Sequence, residues 1–350
     1  MTQSHTIVAR AGRQFAQNTA MRFFRLGLRC GLVALLVAGG ARPRLLAVPA
    51  ALRKVVLQTD WFPQAEHGGF YQALAKGFYR DAGLDVEILS GGPGVAIKLS
   101  VAKGTADFGL YRSDDVIMAA SRGLPLVMVG AVLQHDPEAL LVHEASPVKT
   151  LADLDGRSVI APPSMTWIPY VQKKYGIHFD LQQVNYSLAV FLADKTTIQQ
   201  CMVTSEPYFV AQHGVHSRTV PLADAGYDPY HTIMCRRELV RNSPEVVRAF
   251  LAASIRGWRD YLDGDPAPAV ALILKRNPEM TPGQIAFSRD ALIARALVKG
   301  DPAQGEGIGR ISPARIQSQI AVLTDLRILE TPVPAATVVT QEFLPPADTP

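Results

Sequence analysis

The sequence predicts an α/β protein built from two lobes with a ligand cleft between them. Short β-branched strands alternate with helices along most of the chain, which is typical of a mainly parallel sheet covered on both faces. The alternation begins again near residue 139, and the chain becomes strongly helical after Ser243. We therefore expect lobe 1 to comprise residues 51–138 and 232–345 and lobe 2 to comprise residues 139–231, joined by a two-strand hinge.

In the first lobe the strands are recognised by β-branched runs or by alternating apolar and polar residues. Leu84–Leu89 alternates in the manner of a strand with one buried face. The predicted strands cover residues 53–60, 84–89, 106–110 and 125–132. The predicted helices cover residues 70–82, 95–103 and 116–122.

Beyond residue 138 the same alternation recurs with shorter elements. Predicted strands cover residues 139–143, 158–161, 182–185, 201–204, 220–223 and 231–235. Predicted helices cover residues 168–175 and 189–194, with a helical turn at 151–154. A long helix is expected after Ser243, where Pro244 suits the first helical position. Its apolar residues recur at helical spacing, namely Val246, Val247, Phe250, Leu251, Ile255 and Trp258.

The first 50 residues are predicted to be an export leader. They contain seven arginines, no lysine and no acidic residue. Their apolar run at 30–41 has the length of a signal-peptide core and is too short to span a bilayer, although a retained membrane anchor is the alternative. Without the leader the net charge of +4 turns slightly negative, with 28 basic against 31 acidic residues. The basic excess therefore gives no support for nucleic-acid binding.

The cysteines indicate neither a metal site nor a disulfide framework. After the leader only Cys201 and Cys235 remain, without a spacing typical of zinc ligands. Both are expected to lie in the core, although an oxidising compartment would permit one bridge between them. We expect no metal and no cofactor.

Polar and aromatic residues follow the predicted strands at their carboxyl ends, where open α/β sheets bind ligands. Trp61 offers a planar face for stacking on a ligand, or else an anchor on the lobe surface. His67 could donate a hydrogen bond to a ligand heteroatom or stay solvated. Tyr71, one helical turn later, is expected to lie either in the cleft or in the core.

Two further loops of the first lobe are candidates. The loop at 90–94, represented by Gly92, would let backbone N–H groups approach a ligand anion or carbonyl, or would simply form a tight turn. The charged junction at 112–115 contains Ser113 and Asp114. We expect either Asp114 or Asp115 to cap the following helix and the other to accept hydrogen bonds from a ligand amine.

In the second lobe Glu206 is the strongest polar candidate, because it stands before Pro207 at the end of an apolar strand. Its carboxylate would suit the paired polar edge of an aminopyrimidine; the alternative is an ion pair with Arg112 or Lys195. Trp167 opens a helix after a loop of small residues and is expected to stack on the ligand rather than to join the core. The remaining candidates are Tyr186, Tyr208 and Asp228.

Eight segments together resemble the thiamine-pyrimidine-precursor-binding family of type 2 periplasmic binding proteins, relatives of the sulfonate and taurine receptors. They occur in consistent order within residues 53–275. The segments are DWFP at 60–63, GFYQALAKGFY at 69–79, AGLDV at 82–86, GTADFG at 104–109, RGLP at 122–125, LADLDG at 151–156, TSEP at 204–207 and PEVVRAF at 244–250. The resemblance implies two hinged lobes that close on a ligand contacted by both.

The resemblance also implies a function. A member of this family would be a periplasmic solute-binding subunit that delivers its ligand to the permease and ATPase subunits of an ABC importer. We expect a monomer that captures a small, planar, polar ligand, with a thiamine-precursor pyrimidine as the first choice. The alternatives are a receptor for sulfonates, taurine or another nitrogenous molecule, and a ligand-sensing subunit.

Some relatives in this family are pyrimidine synthases, which use a lysine-bound pyridoxal phosphate, a histidine of their own and a cysteine cluster for iron. The chain departs from them, since it has Tyr111 and Asp115 where the synthases carry that lysine and histidine. The segment at 230–235, which corresponds to the cysteine cluster, contains one cysteine. Without a Schiff-base amine or metal ligands that chemistry has no carrier, so we expect a binding protein rather than an enzyme.

Overall fold

The computed structural model describes residues 51–346, so the predicted export leader lies outside the described residues. Ten strands in this range form two five-stranded sheets. We refer to the first sheet with its helices as lobe 1 and to the second as lobe 2. No helix between residues 51 and 346 combines the length and the apolar character needed to cross a membrane.

Lobe 1 contains a mixed sheet. Its strands are β1 (Arg53–Gln58), β2 (Leu84–Leu89), β3 (Phe108–Arg112), β4 (Leu126–Leu133) and β10 (His231–Arg236). They lie in the order β2-β1-β3-β10-β4, with β10 antiparallel to both neighbours and the β1 pairs parallel. The chain leaves lobe 1 after β4 and returns at β10, so β10 must run in the opposite direction. The expectation of a mainly parallel sheet therefore fails at this strand.

Lobe 2 repeats this arrangement with shorter strands. They are β5 (Glu138–His143), β6 (Ser158–Ile160), β7 (Asp180–Gln182), β8 (Ile198–Met202) and β9 (Ser217–Pro221). The order is β7-β6-β8-β5-β9, with β5 antiparallel to β8 and β9. In both sheets the strand that directly follows a crossing between lobes is the antiparallel one.

Helices cover the sheets of both lobes. Those of lobe 1 before the crossing are α1 (Gly68–Ala75), α2 (Phe78–Asp81), α3 (Ile97–Lys103) and α4 (Ser113–Ser121). Those of lobe 2 are α5 (Trp167–Tyr175), α6 (Ala189–Ala193) and α7 (Glu206–Gln212). The chain ends in α8 (Arg237–Asn242), α9 (Pro244–Asp263), α10 (Ala267–Arg276), α11 (Pro282–Ala294), α12 (Pro313–Asp325) and α13 (Ala335–Val338). Short 3-10 helices cover Ala65–His67, Leu151–Leu154, Leu222–Ala225 and Pro302–Gln304.

Several predicted boundaries move in the structure. The helix predicted at 70–82 is divided into α1 and α2, because Gly77 takes a left-handed conformation (φ 76°) between them. The strands predicted at 182–185 and 201–204 are paired a few residues earlier, as β7 and β8. The strand predicted at 220–223 ends at Pro221, where a 3-10 turn takes over.

The core of lobe 1 depends on the predicted helix α9. The ring of Phe250 stacks on Phe108 with centroids 4.0 Å apart, which ties the helix to β3. Helix α1 lies directly across α9: a Cβ on Gly69 would stand 2.1 Å from the Trp258 ring, and one on Gly257 would stand 2.2 Å from the Gly69 carbonyl oxygen. Glycine at these positions allows the two helices to approach each other.

The two cysteines of the described chain, Cys201 and Cys235, are free and buried in the core, as predicted. They do not form a disulfide with each other. Burial raises the pKa of both thiols, which keeps them protonated and unreactive.

The two crossings between the lobes are held together by four charged or polar side chains. His135, between β4 and β5, lies 2.8 Å from Asp228, which precedes β10. Its other ring nitrogen lies 3.1 Å from Glu306, and Arg315 of α12 pairs with Asp228 (2.9 Å) and Glu306 (3.1 Å). We call these four residues the hinge clasp. It fastens both crossings to the carboxyl-terminal part of lobe 1.

The hinge clasp should stabilise the protein less as the pH rises. The hydrogen bond to Asp228 and the charge of Glu306 raise the pKa of His135, against partial burial and the charge of Arg315. A histidine with a raised pKa in the folded state stabilises fully below its unfolded pKa, and this stabilisation is lost as the pH passes through the folded pKa. We expect His135→Gln to lower the melting temperature most below about pH 6 and progressively less toward about pH 9.

The matched control is His178→Gln, because the side chain of His178 is 81% exposed and faces Asp180 at 3.7 Å. It should leave the melting temperature within error of the parent at every pH. A loss for His135→Gln that does not change with pH would show that the imidazole charge plays no part in the clasp.

Candidate functional site

Side chains that follow the carboxyl ends of strands in both lobes meet at the lobe interface. Asp114 follows β3 of lobe 1 and accepts hydrogen bonds from Thr166, which follows β6, and from Tyr227 (2.5 Å), both of lobe 2. Arg112, at the end of β3, donates to Asp114 (3.0 Å) and to Glu138 at the start of β5 (2.5 Å). We call these five residues the interlobe network.

The charges of the interlobe network depend on one another. Burial by itself would lower the pKa of Arg112, but Asp114 and Glu138 hold it well above its ordinary value. Burial would likewise raise the pKa of Asp114, yet Arg112 and the hydroxyls of Thr166 and Tyr227 keep it below its usual range. For Glu138 burial prevails and raises the pKa to about 7. The arginine and Asp114 therefore form a permanent ion pair, and Glu138 titrates near neutrality.

A second group of buried charged side chains adjoins the interlobe network and includes Asp136 of the first crossing. Asp60, after β1, lies 2.7 Å from the Nε2 atom of His67 and 3.6 Å from the Nδ1 atom of His231. The Nε2 atom of His231 lies 3.7 Å from Asp136, which is too long for a hydrogen bond. Within residues 51–346, Asp136 Oδ2, His231 Nε2 and His67 Nδ1 are buried without a hydrogen-bond partner. The interface therefore contains buried polar atoms that could still form hydrogen bonds.

The histidines also decide the charge of Asp60. Burial would raise the pKa of Asp60, but the neighbouring His231 and the hydrogen-bonded His67 bring it far below its usual range. Burial would lower the pKa of His231, whereas Asp136 and Asp60 raise it to about 10. Near neutral pH, Asp60 is therefore a carboxylate beside a protonated His231.

Glu66 and Glu206 are two more carboxyl groups that come from opposite lobes. Glu206 is the first residue of α7 in lobe 2, and its Oε2 atom accepts the N–H of Met202 at 2.7 Å. Glu66 lies in the 3-10 helix after β1 in lobe 1. Burial raises the pKa of both carboxyls, and the charge of Glu66 raises that of Glu206 further. Among the described residues no arginine, lysine or histidine lies within 4.0 Å of either carboxylate, so the predicted alternative of an ion pair with Arg112 or Lys195 is not formed.

Helix α11 of lobe 1 supports the segment that carries Glu206. The hydroxyl of Ser288 donates to the carbonyl oxygen of Thr204 at 2.6 Å. The ring of Tyr208 packs on Phe287 with centroids 5.6 Å apart, and its hydroxyl lies 3.5 Å from Thr281. Tyr208, a predicted site residue, therefore contributes to docking between the lobes.

Aromatic side chains lie at the edge of this interface. Trp61 of lobe 1 contacts Tyr186 of lobe 2, with ring centroids 5.6 Å apart. Tyr186 has 66% of its surface exposed and a left-handed backbone (φ 57°), which costs a non-glycine residue about 1 kcal/mol or more. Phe62, beside Trp61, is 46% exposed. The structure thus brings Trp61 and Tyr186 together from opposite lobes.

The glycine loop at 90–94 supports the segment at 60–62. The N–H of Gly91 lies 3.1 Å from both the Trp61 carbonyl oxygen and the Thr59 hydroxyl, and a Cβ there would stand 2.3 Å from the Thr59 carbonyl oxygen. Gly92 has a φ of 142°, and a Cβ on it would stand 3.0 Å from the Phe62 ring. This geometry favours the tight-turn alternative for the loop, because the Gly91 N–H is already engaged.

Two predicted site residues lie in lobe cores. Trp167 is fully buried in lobe 2, where its ring stacks on Phe179 at 5.9 Å and its Nε1 atom donates to Gln200 at 3.0 Å. It is a core residue rather than the stacking platform that its loop position suggested. Tyr71 is fully buried in lobe 1 with Arg276 over its ring at 5.4 Å. Tyr71 therefore takes the packing role of its two predicted alternatives.

Ser113 and Asp228 have structural partners outside the Glu66–Glu206 region. The Ser113 hydroxyl donates to Gln319 of α12 at 2.7 Å, and Asp228 belongs to the hinge clasp. The expected helix cap is also different: Arg112 occupies the N-cap position of α4, and Asp114 accepts no backbone N–H of this helix except that of the adjacent Asp115. The remaining predicted residues, His67 and Glu206, do lie at the interface.

Sequence reasoning missed Asp60, Glu66, Asp136, Glu138 and His231 as site residues. Asp60 and Glu66 stand in the same loop as Trp61 and His67, so their proximity was an available signal. The other three lie at the crossings between lobes, where a sequence shows no sign that the strands of distant segments come together. Tyr227 was missed for the same reason.

The family model described as NMT1/THI5 like matches residues 64–269, more than half of the chain. The chain belongs to the NMT1/THI5-like family. This confirms the resemblance inferred from the eight sequence segments.

Similar proteins include both binding proteins and an enzyme. Riboflavin-binding protein RibY of Chloroflexus aurantiacus is 24% identical over 265 residues, covering 72% of this chain and 75% of RibY. The formylaminopyrimidine-binding protein of Halalkalibacterium halodurans is 26% identical over 260 residues, covering 71% and 78% of the two chains. A 4-amino-5-hydroxymethyl-2-methylpyrimidine phosphate synthase of Saccharomyces cerevisiae is 25% identical over 243 residues, covering 61% and 72%.

Solved structures show the same fold. The periplasmic aliphatic sulphonate binding protein SsuA of Escherichia coli superposes with a TM-score of 0.63 at 18% identity, covering 83% of this chain and 92% of that chain. The predicted type 2 periplasmic-binding-protein fold of two α/β lobes is thereby confirmed. At this identity the likeness concerns the fold alone.

Asp114 and Asp115 provide a matched test of the interlobe network. Asparagine at 114 would leave the buried guanidinium of Arg112 with one carboxylate fewer, whereas Asp115 forms a partly exposed ion pair with Lys98 at 2.7 Å. We expect Asp114→Asn to lower the free energy of unfolding by roughly 3 kcal/mol, the lower end for breaking a buried pair. Asp115→Asn should lower it by about 1 kcal/mol or less.

Urea unfolding followed by circular dichroism measures both changes. Equal losses for the two variants would mean that Asp114 holds the lobes no more firmly than a surface aspartate.

Proposed function

We propose that the protein is the exported solute-binding subunit of an ABC importer and that it captures an amine-bearing planar heterocycle by closure of its lobes. A thiamine-precursor pyrimidine is the first candidate ligand. The observation that carries the proposal is the excess of carboxyl groups at the lobe interface. Six of them meet there with one arginine and two histidines, namely Asp60, Glu66, Asp114, Asp136, Glu138 and Glu206.

The excess of carboxyl groups over cationic groups at the interface favours a ligand that donates hydrogen bonds. A sulfonate or nitrate needs cations or free N–H donors around it. Arg112 is already engaged by Asp114 and Glu138, and His67 is engaged by Asp60. Glu66 and Glu206 remain as acceptors without a cation within 4.0 Å among residues 51–346. An aminopyrimidine presents N–H groups to such acceptors, in keeping with the name of the formylaminopyrimidine-binding relative.

Closure would work through the lobe boundaries. We place lobe 1 at residues 51–138 and 232–345 and lobe 2 at residues 139–231, with the hinge clasp at the crossings. A ligand held between Glu66 of lobe 1 and Glu206 of lobe 2 favours the closed state because it contacts both lobes. The arginine-rich leader at 1–50 supports export to the periplasm, where a soluble binding protein meets the importer's permease.

The synthase-like alternative finds less support in this chain. The positions that correspond to the synthase lysine and histidine hold Tyr111 and Asp115, and both are in contact with Lys98. The Nζ atom of Lys98 lies 2.7 Å from Asp115 and 4.2 Å from the centre of the Tyr111 ring. The amine of Lys98 is thus engaged with these two residues rather than free to form a Schiff base. We therefore propose binding without catalysis.

A ligand panel tests the proposal directly. The mature chain is screened by thermal shift against 4-amino-5-hydroxymethyl-2-methylpyrimidine, formylaminopyrimidine, riboflavin, an alkanesulfonate and nitrate. A ligand that binds the folded state raises the melting temperature. At a hundredfold excess over its Kd it adds about 2.7 kcal/mol to the free energy of unfolding. We expect shifts with the aminopyrimidines and none with the anions. A shift with the sulfonate alone would overturn the ligand class while leaving the fold intact.

Glu206→Gln tests the principal contact. Loss of a charged hydrogen bond costs roughly 1.5–3 kcal/mol, so the Kd of an aminopyrimidine should rise about 10- to 150-fold in isothermal titration. Glu144→Gln is the control, since Glu144 is an exposed glutamate of the same lobe. An unchanged Kd for Glu206→Gln would remove this residue from the site.

A further inference from the structure

Two aromatic rings from opposite lobes touch at the edge of the lobe interface. The ring of Trp61 in lobe 1 lies 5.6 Å from the ring of Tyr186 in lobe 2, centroid to centroid, with 46° between their planes. Phe62 supports Trp61 within lobe 1, at a centroid distance of 5.7 Å and an angle of 73°. We call the meeting of Trp61 with Tyr186 the rim contact. It joins the two lobes directly through side chains.

The rim contact lies on the ligand-binding side of both lobes. Trp61 follows β1 and Tyr186 follows β7, and open α/β sheets bind ligands beyond the carboxyl ends of such strands. Asp60, the residue before Trp61, already belongs to the charged groups of the interface through its contact with His67. The side chain of Tyr186 is 66% exposed. The rim contact therefore stands between the interface and the solvent.

Local hydrogen bonds hold the turn that contains Tyr186. The Asn185 side chain accepts the N–H of Ser187 at 3.0 Å, and the Ser187 hydroxyl accepts the N–H of Ala189 at 3.1 Å. The Ser187 carbonyl oxygen accepts the side-chain amide of Gln199 at 3.3 Å. Within this turn Tyr186 has a φ of 57°, in the left-handed region that a bulky side chain rarely adopts. Such a conformation persists only when surrounding contacts impose it.

The ring contact is what offsets the strain at Tyr186. A side chain that is 66% exposed gains little from hydrophobic burial, so burial cannot supply the compensation. A pair of aromatic rings contributes about as much free energy as a left-handed backbone costs a tyrosine. The rim contact is therefore nearly balanced, and it can form and break without a large net change in free energy.

The partner ring in lobe 1 is fixed more firmly. The carbonyl oxygen of Trp61 accepts the Thr59 hydroxyl at 2.8 Å and the N–H of Gly91 at 3.1 Å, which ties it to the ends of β1 and β2. Of the two rings, the one on the strained turn of lobe 2 is thus the one that moves when the contact breaks.

We propose that the rim contact is a gate of the ligand site, in which Tyr186 closes on Trp61 and has to leave it before a ligand enters or departs. This inference rests on the proposed function. The two rings contact each other, so Tyr186 acts on the rate of ligand exchange and not by holding the ligand. A contact present in the closed state with and without ligand leaves the Kd nearly unchanged, because it has no differential effect on the two.

The first experiment needs no ligand. The chain has three tryptophans; Trp167 and Trp258 are 0% and 2% exposed, whereas Trp61 is partly exposed. Acrylamide quenching of the tryptophan fluorescence of the full mature chain therefore reports mainly on Trp61. Tyr186→Asn removes the ring and suits the left-handed backbone, which asparagine adopts more readily. We expect stronger quenching in this variant and the quenching of the parent in Tyr186→Phe, which keeps the ring.

The second experiment measures exchange of 4-amino-5-hydroxymethyl-2-methylpyrimidine by stopped-flow fluorescence, with the Kd from isothermal titration. In Tyr186→Asn both the association and the dissociation rate should rise about 2- to 12-fold, which corresponds to the 0.5–1.5 kcal/mol of an aromatic pair. The Kd should stay within about twofold of the parent, since both rates change together. Tyr186→Phe should exchange the ligand at the rates of the parent.

Val190→Ala is the control, because Val190 is a 45% exposed apolar residue on α6 of the same lobe. It should change neither the quenching nor the rates. The melting temperature of ligand-free Tyr186→Asn should stay within about 2 °C of the parent, because relief of the strained backbone offsets the lost ring contact. Faster exchange in this variant then cannot be explained by partial unfolding.

Unchanged quenching in Tyr186→Asn would overturn the inference without reference to any ligand. A weaker Kd with an unchanged association rate would overturn it as well, since that pattern belongs to a residue that contacts the ligand. Failure of the probe to bind the parent would instead overturn the proposed function, and this outcome is recognised from the parent alone.

Discussion

The arrangement of the two lobes depends on the buried guanidinium of Arg112. A charge of this kind loses several kcal/mol of hydration when it leaves water, and only well-placed partners offset that loss. Asp114 comes from the same strand end, but Glu138 belongs to the second sheet, and Asp114 is completed by Thr166 and Tyr227 of lobe 2. The guanidinium of Arg112 in lobe 1 therefore has both of its carboxylate partners only while lobe 2 lies against lobe 1. Apolar side chains of both lobes also share one buried cluster, which includes Leu141 and Val203 of lobe 2 with Ile285 and Leu292 of lobe 1.

The hinge clasp and the carboxyl groups of Glu66 and Glu206 lie outside the interlobe network. In the clasp every charge has an opposite partner, with Arg315 bridging Asp228 and Glu306, so this region is complete in itself. Glu66 and Glu206 differ in this respect, because neither forms an ion pair within 4.0 Å among residues 51–346. A binding protein of this fold needs both conditions: crossings that hold their geometry and a cleft whose polar groups are satisfied by a ligand. In the proposed function, these acceptors rather than the overall charge of the chain would select the class of ligand.

Several site residues could be predicted because their signal is local. Trp61, His67 and Glu206 stand in loops directly after apolar strands, and the fold places such loops at the interface. Trp167 satisfied the same local criterion, yet it turns inward onto Phe179 because the short sheet of lobe 2 requires a large side chain to fill its core. Asp136 and His231 carry no local signal, since they become neighbours only when two crossings more than 90 residues apart run side by side. A loop position therefore indicates where a residue lies but not which way its side chain turns.

The sequence by itself determined the α/β class, the two-lobed organisation, the family and the position of most strands, because periodicity and turn residues act over a few neighbouring residues. Its prediction that Glu206 is the leading polar residue of the cleft remains a prediction. Only the tertiary structure decided that Arg112 is shared between the sheets and that β10 runs antiparallel. These properties arise from desolvation and from pairing between segments far apart in the chain.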